Sequence, residues 1–446
     1  MKNTKNTFTK PKMFIFSSLK VSCGLGTLML GWVTFFSTEY LGLSAATVGL
    51  LFMVSKIFDG FTDLIAGYVI DKTHSKLGKG RPFDLAQIGY WISIILLFVV
   101  PIMSVNLTYA WIFVMYTLAN SIFLTLLNCA DPVYMVNVID NPNQSIVANA
   151  VVGMASMVVS MVGGIVLPQL VRNMGTSRSG WATIAITVGV PSLAIGLLRF
   201  FLVKEKEGRE SSVEKFTLKD AGRVIISNKY ILIVALINLT SSLGYHMASG
   251  VTNYYCNYVF GDVGIASLLS LTMLSSVISI ILTPIVTKKI GFTKFMRVLT
   301  VVSIAANLLR LANPYNVMLI FISGFFTGIG TLTIWLYINT FIIDCMDYGE
   351  WHTGVRSEGS TSCVQSVFGK IGQAFGVGLI GILMGASGYS SSLAAQPDSA
   401  IKMLIAMFSL IPAVFLFVQY ILLRMYNLED KLPQIRKELA EKKREA

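Results

Sequence analysis

Apolar residues run along this chain in blocks of about twenty, the length that crosses the hydrocarbon core of a bilayer as a helix, and short polar stretches divide them. The blocks predict helical spans over Val21 to Thr38, Thr47 to Ile70, Phe83 to Met103, Tyr109 to Cys129, Ile146 to Val171 and Trp181 to Val203. After a polar gap they resume over Tyr230 to Val259, Ile265 to Val286, Phe295 to Leu311, Val317 to Ile343, Ser360 to Ala386 and Ile401 to Met425. The pattern therefore predicts an all-α membrane protein with twelve spans, and an even number places both termini on one side.

The second block breaks its own pattern. In "SKIFDGFTDLIAGYVIDKTHSKLGKGRPF" (Ser55 to Phe83), Lys56, Asp59 and Asp63 interrupt the apolar run, and spacings of three and four put all three on one helix face. An Asp at mid-span costs about 2.5–3.5 kcal/mol on insertion scales, and two carboxylates one turn apart raise each other's proton affinity. Lys56 could supply the counter-charge, as an ion pair that merely holds helices together, or a bound H⁺ or Na⁺ could do so at a functional site. Thr62, between the acids, offers a hydroxyl oxygen suited to a hard cation.

Other polar residues within the spans are open to two readings each. Lys370 lies some ten residues into the eleventh block, where an ammonium needs a partner: a substrate carboxylate, or an acid of the first half. Trp335 in the tenth block is either packing or a flat apolar surface on which a solute ring stacks. Asn128 and Asp131 lie one turn apart near the end of the fourth block, and Asp131, followed by Pro132, reads as a helix-end residue. His246 beside Tyr245 is a packed histidine or a proton carrier. The acidic run Asp344, Asp347 and Glu350, with Arg356 beyond it, is a solvated segment or one side of a breakable gate, with basic groups such as Arg81 opposite.

Mean hydropathy of +0.68 and only 13% charged residues exclude a soluble chain of this length. The net charge of +12 would otherwise suggest a nucleic-acid partner, but 27 of the 35 Lys and Arg fall on one side of the expected topology: the N-terminal tail, alternate loops and the C-terminal tail. Basic loops stay in the cytoplasm, so both termini are expected there, in a multi-pass protein of the cell inner membrane. The partners expected are lipid and a small solute, not nucleic acid. No cleaved signal peptide is read, because the first span is long and no small-residue site follows it. Five scattered cysteines show neither a disulfide framework nor metal-ligand spacing.

The longest polar interruption, "KEKEGRESSVEKFTLKDAGR", divides the chain into an N-terminal six-helix bundle (1–203), a central cytoplasmic loop (204–229), a C-terminal six-helix bundle (230–426) and a cytoplasmic tail (427–446). "GYVIDKTHSK" after the second span is weakly echoed by "PIVTKKIGFTK" after the eighth. Paired bundles with a solute site between them are how many transporters are built. Gly67, Asp71, Lys72 and Lys76 fit a loop that braces two helices.

"KIFDGFTD…DKTHSKLGKGRPF", with "DCMDYGEWHTGVRSEGS" (Asp344 to Ser360) and "VQSVFGK" after it, resembles the glycoside-pentoside-hexuronide:cation symporter family, the melibiose-permease-like branch of the major facilitator superfamily. The resemblance covers essentially the whole chain. It implies the major facilitator fold and import of a sugar coupled to H⁺, Na⁺ or Li⁺, with no other cofactor, no enzymatic step and a monomeric carrier. It places cation ligands at Asp59, Asp63, Thr62 and Thr125, sugar contacts at Asn128, Trp335 and Lys370, and gating charges at Asp71, Arg81, Asp344, Asp347, Glu350 and Arg356. The family's first-span Lys-Asp pair appears here as Ser22 and Cys23, and its fifth-span Arg has no counterpart around Gly153. Two other classes stay open: an intramembrane Mg²⁺-dependent transferase, to which "DGFTD" and "GYVID" bear a faint likeness, and a sugar sensor that does not transport.

Overall fold

The computed structural model describes residues 10–73, 75–139, 142–205, 228–353, 358–393 and 395–445. Among them there is no strand. They fall into two compact units, Met1–Ser211 with Ser391–Ala394, and Ser212–Ser390 with Ala395–Ala446.

The first unit contains α1 (Pro11–Tyr40), α2 (Ala45–Lys72), α3 (Ala86–Phe98, entered by a 3₁₀ turn at Arg81–Leu85), α4 (Val105–Val138), α5 (Pro142–Met174) and α6 (Arg178–Leu202). α1 packs on α5 and α6, α3 on α6, and α2 on α4. The second unit contains α7 (Lys229–Tyr258), α8 (Ile265–Ile290), α9 (Phe292–Leu309), α10 (Val317–Thr353), α11 (Glu358–Ala386), α12 (Asp398–Met425) and a shorter α13 (Leu432–Glu445). Here α7 packs on α11 and α12, α9 on α10 and α12, and α13 on α10. Ten of these helices are long and apolar enough to cross a membrane. α2, with its three charges, and α3, with the turn before it, lie where the other two of the twelve spans are expected.

Several helices run further than their apolar blocks. α1 begins ten residues early and takes in Lys12 and Lys20, so Lys20 belongs to a span and not to the N-terminal tail. α4 passes through Asn128, Asp131 and Pro132 and ends only at Val138. Polar residues that look like a helix end in the sequence find partners inside the bundle, so the backbone keeps its internal hydrogen bonds, as a bilayer requires. α10 likewise continues past Ile343 through the acidic run to Thr353. α3 falls short of Met103 and stops at Phe98, because Pro101 forces the residue before it out of the helical region.

In α4 the segment Leu118–Phe123 is π-helical, a widening of the turn that is frequent at functional sites. It carries Asn120 and Ser121 to α2. In the second unit glycines let α11 lie close on α7: a Cβ at Gly372 would press on the Leu239 carbonyl oxygen, and one at Gly376 would sit 2.8 Å from that of Leu243. Small residues at such seams bring membrane helices into backbone contact.

One clamp occurs in both units. Glu205, just beyond α6, accepts from the backbone N–H groups of Gly80 and Arg81, while Arg81 Nε donates to the Phe200 carbonyl at 2.9 Å. Glu429, just beyond α12, accepts from Phe292 N (2.6 Å) and Thr293 N (2.7 Å), while Arg297 Nε donates to the Leu423 carbonyl at 2.8 Å. The internal repeat is thus plainest in a carboxylate holding the entry to the third helix of each unit. The loop echo read from the sequence lies nearby.

Candidate cation and sugar sites

α2 presents Lys56, Asp59 and Thr62 as buried side chains facing α4, with Asp63 half-buried beside them. Asp59 is only 7% exposed, and Thr125 Oγ1 donates to its Oδ1 at 2.7 Å. Thr62 Oγ1 donates to the Asp59 backbone carbonyl at 2.9 Å, which fixes its rotamer and leaves its lone pairs available. One turn earlier, Lys56 Nζ donates to Asn120 Oδ1 at 2.7 Å. Thr117 Oγ1 donates to Ser55 Oγ, and Ser121 Oγ to the Ser55 carbonyl, closing the α2–α4 seam above the acid. The outcome is a buried carboxylate bonded by one hydroxyl, with a second hydroxyl on the backbone carbonyl of the same residue, chemistry that suits a proton or a monovalent hard cation. Among the described residues no group of three His, Cys, Asp or Glu side chains gathers as a divalent ion would need.

A second charged network lies in the same unit. Arg199 on α6, fully buried, holds Asp84 in a fork, with Nε to Oδ2 at 2.9 Å and Nη2 to Oδ1 at 2.5 Å, and its Nη1 donates to Asp131 on α4. Its guanidinium also lies over the rings of Phe16 and Tyr134, 4.7 Å from each centroid. Lys20 on α1 closes the network: Nζ donates to Asn128 Oδ1 at 2.9 Å and pairs with Asp131 Oδ2 at 3.4 Å. Asp131 is therefore a member of an interior network and not a helix-end residue. Neither Lys20 nor Arg199 stands out in the sequence reading. Arg199 left a signal, an arginine inside "LLRFFL" that must find an acid, but the sequence does not say which.

The sugar candidates divide between the units. Asn128 is an exposed residue of α4 in the first. In the second, Trp335 on α10 is 50% exposed and stacks on Tyr245 of α7, with ring centroids 5.8 Å apart and planes 29° from parallel. His246 meets the edge of the Tyr245 ring at 5.3 Å. Lys370 is half-buried on α11, next to Gly369, whose missing side chain makes room for Asn238.

Three of the gating candidates, Arg81, Asp344 and Asp347, are held within their own units. Arg81 is engaged with Phe200 and Glu205 as described, its guanidinium 5.1 Å from the Phe200 ring. Asp347 accepts from Arg436 Nε at 2.8 Å and Asp344 from its Nη2 at 3.1 Å. Arg436 belongs to α13, and the hydrogen bond to Asp347 raises its proton affinity further above the ordinary arginine range. One turn on, Trp351 Nε1 donates to Glu438 at 2.6 Å, and Leu432 and Ile435 are buried against the second unit's core. The segment expected as a tail is thus a docked amphipathic helix. Glu350 lies in α10 between these contacts. Asp71 is the penultimate residue of α2, but its side chain, like all of Arg356, lies outside the described residues.

The family model described as MFS/sugar transport protein matches residues 16–430. An isoprimeverose transporter of Lactiplantibacillus pentosus is 28% identical over 98% of this chain and 93% of its own length. An inner membrane symporter of Escherichia coli is 26% identical over 93% of this chain and 91% of its own. Among solved structures, a single-site mutant of the nucleoside transporter NupG superposes with a TM-score of 0.66 at 14% identity, over 92% of this chain and 99% of that one, a likeness of fold.

Proposed function

The chain belongs to the MFS/sugar transport protein family, and from that membership we propose that it is a symporter that imports a glycoside together with H⁺, Na⁺ or Li⁺ by alternating access. Sugar transport follows from the family; coupling to a cation is the finer reading. The observation that carries it is the buried Asp59 carboxylate, held by the Thr125 hydroxyl on one face of α2 with Lys56, Thr62 and Asp63. The name of the relative from Escherichia coli, a symporter, and the motifs shared with cation-coupled carriers support it.

In this mechanism an ion at Asp59 and Asp63 cancels charge that otherwise costs about 2.5–3.5 kcal/mol per acid at mid-membrane. The loaded helix then rocks with its bundle, and a half-loaded carrier does not. Linkage makes sugar and ion raise each other's affinity by the same factor. The basic residues of the tails and alternate loops favour cytoplasmic termini, which reporter fusions at each end would test.

Purified protein in proteoliposomes, given a Na⁺ or H⁺ gradient and labelled isoprimeverose, tests the reading. Uphill accumulation is expected, lost in Asp59→Asn while counterflow exchange persists. Full accumulation by Asp59→Asn would overturn the ion assignment. An absence of counterflow in the unaltered protein with every glycoside tried would overturn the carrier itself and favour a transferase or a sensor.

A further inference from the structure

Four charges meet in the first unit: Lys20 and Arg199, Asp84 and Asp131. Three of them are interior. The side chains of Arg199 and Asp84 are 0% and 1% exposed and that of Asp131 10%, and their contacts are short and forked. Lys20 differs from these three. Its side chain is 27% exposed, it meets Asp131 through a single 3.4 Å contact, and it spends one donor on the exposed amide of Asn128. An ammonium has three donors, so one N–H remains open. No acceptor among the described residues meets Asn128 Nδ2, so that amide keeps its N–H groups open as well. The accessible rim of an otherwise sealed network is thus a cluster of donors on two adjoining helices.

We infer that Lys20 contacts the sugar directly, sharing with Asn128 a pair of neighbouring hydroxyls, and that this subsite takes neutral sugars in preference to acidic ones; the inference rests on the carrier reading above. Donors converging from α1 and α4 match hydroxyl oxygens, which accept hydrogen bonds without bringing charge. Two cations and two carboxylates leave the network with no net charge, and Asp131 already offsets the ammonium. A substrate carboxylate would have to compete with Asp131 for Lys20, and the exchange would leave Asp84 and Asp131 to share the single positive charge of Arg199. A hydroxyl takes the open N–H and leaves the ion pair intact. Lys20 also has the reach for this contact, with a long flexible stem and a point charge indifferent to orientation.

Calorimetric titration of the full-length protein with isoprimeverose and with p-nitrophenyl β-glucuronide tests this. The unaltered protein is expected to bind the neutral sugar more tightly, Lys20→Gln to weaken it by about tenfold or more, and Lys20→Arg to recover most of the loss. Should Lys20→Gln not fold, reductive methylation of the unaltered protein gives the answer, with saturating isoprimeverose slowing modification of Lys20 relative to exposed Lys72. Equal affinity in Lys20→Gln, or no protection of Lys20, overturns the contact. Preference for the glucuronide overturns the neutral class while leaving symport standing. Binding of neither sugar, together with absent counterflow, counts against the carrier reading and this inference with it.

Discussion

Thr125 on α4 donates a 2.7 Å hydrogen bond to the carboxylate of Asp59 on α2, joining the two helices at a charge that neither could keep in a bilayer alone. In the symport proposed above the hydroxyl would serve the ion twice: it holds the Asp59 side chain in place, and its oxygen adds a ligand when the ion arrives.

Thr125→Val keeps the shape of the side chain and removes both effects. A hydrogen bond to a charged group contributes about 1.5–3 kcal/mol, so the variant is expected to lose roughly tenfold or more in apparent Na⁺ affinity, read from Na⁺-dependent thermal shifts. Thr125→Ser should behave nearly as the unaltered chain. If the valine variant binds the ion as well as the unaltered chain does, Thr125 is a packing residue.

Removing a charge from the Arg199 network should cost more than removing a pair. Arg199→Leu leaves Asp84 and Asp131 buried without their guanidinium, a change worth about 3–5 kcal/mol when one partner of a buried ion pair is lost. Arg199→Leu combined with Asp84→Leu removes opposite charges together and should recover part of the loss. Unfolding midpoints in one detergent compare the two. A double variant less stable than the single one would show that the network is not held by charge balance.

Much of the fold is legible in the sequence because it follows from a single rule: apolar blocks of span length must be helices in a bilayer. The face of α2 carrying Lys56, Asp59 and Asp63 was legible for the same reason, since helical spacing places it without any knowledge of the rest of the chain. Partners were not. Nothing local to Asp131 says that its charge belongs to Arg199, 68 residues later, or that Lys20 lies inside a helix and not in a tail. α13 was legible in principle, for Leu432, Ile435 and Leu439 recur at three and four, but a terminal segment rich in Lys and Glu reads first as topology.

The docking of α13 gives a prediction that separates charge from burial. The ion pairs of Arg436 with Asp344 and Asp347 are half exposed on the arginine side, and exposed pairs contribute only about 0–1 kcal/mol. Ile435 is buried in the second unit's core, where truncation to Ala costs about 2–5 kcal/mol. Ile435→Ala should therefore speed hydrogen exchange along α13 far more than Arg436→Ala. The reverse order would mean that the α10 acids, and not the apolar face, hold the helix down.

The stack of Trp335 on Tyr245 bears on which reading of the tryptophan is right. A packing tryptophan would be enclosed, whereas this ring is braced from behind by Tyr245 and half exposed, which suits a platform for the apolar face of a pyranose. An aromatic ring contributes through both buried area and geometry, with favoured ring pairs worth about 0.5–1.5 kcal/mol beyond area. Trp335→Ala is then expected to weaken isoprimeverose binding by roughly tenfold, a loss of about 1.4 kcal/mol. Trp335→Phe should keep most of it, and Tyr245→Leu should give a smaller loss because it only loosens the support. None of the three should change the Na⁺-dependent thermal shift measured without sugar, since Asp59 and its ligands lie in the other unit. If Trp335→Ala binds the sugar normally, the exposed face of the ring meets lipid, and sugar recognition in this unit rests with Lys370 on α11.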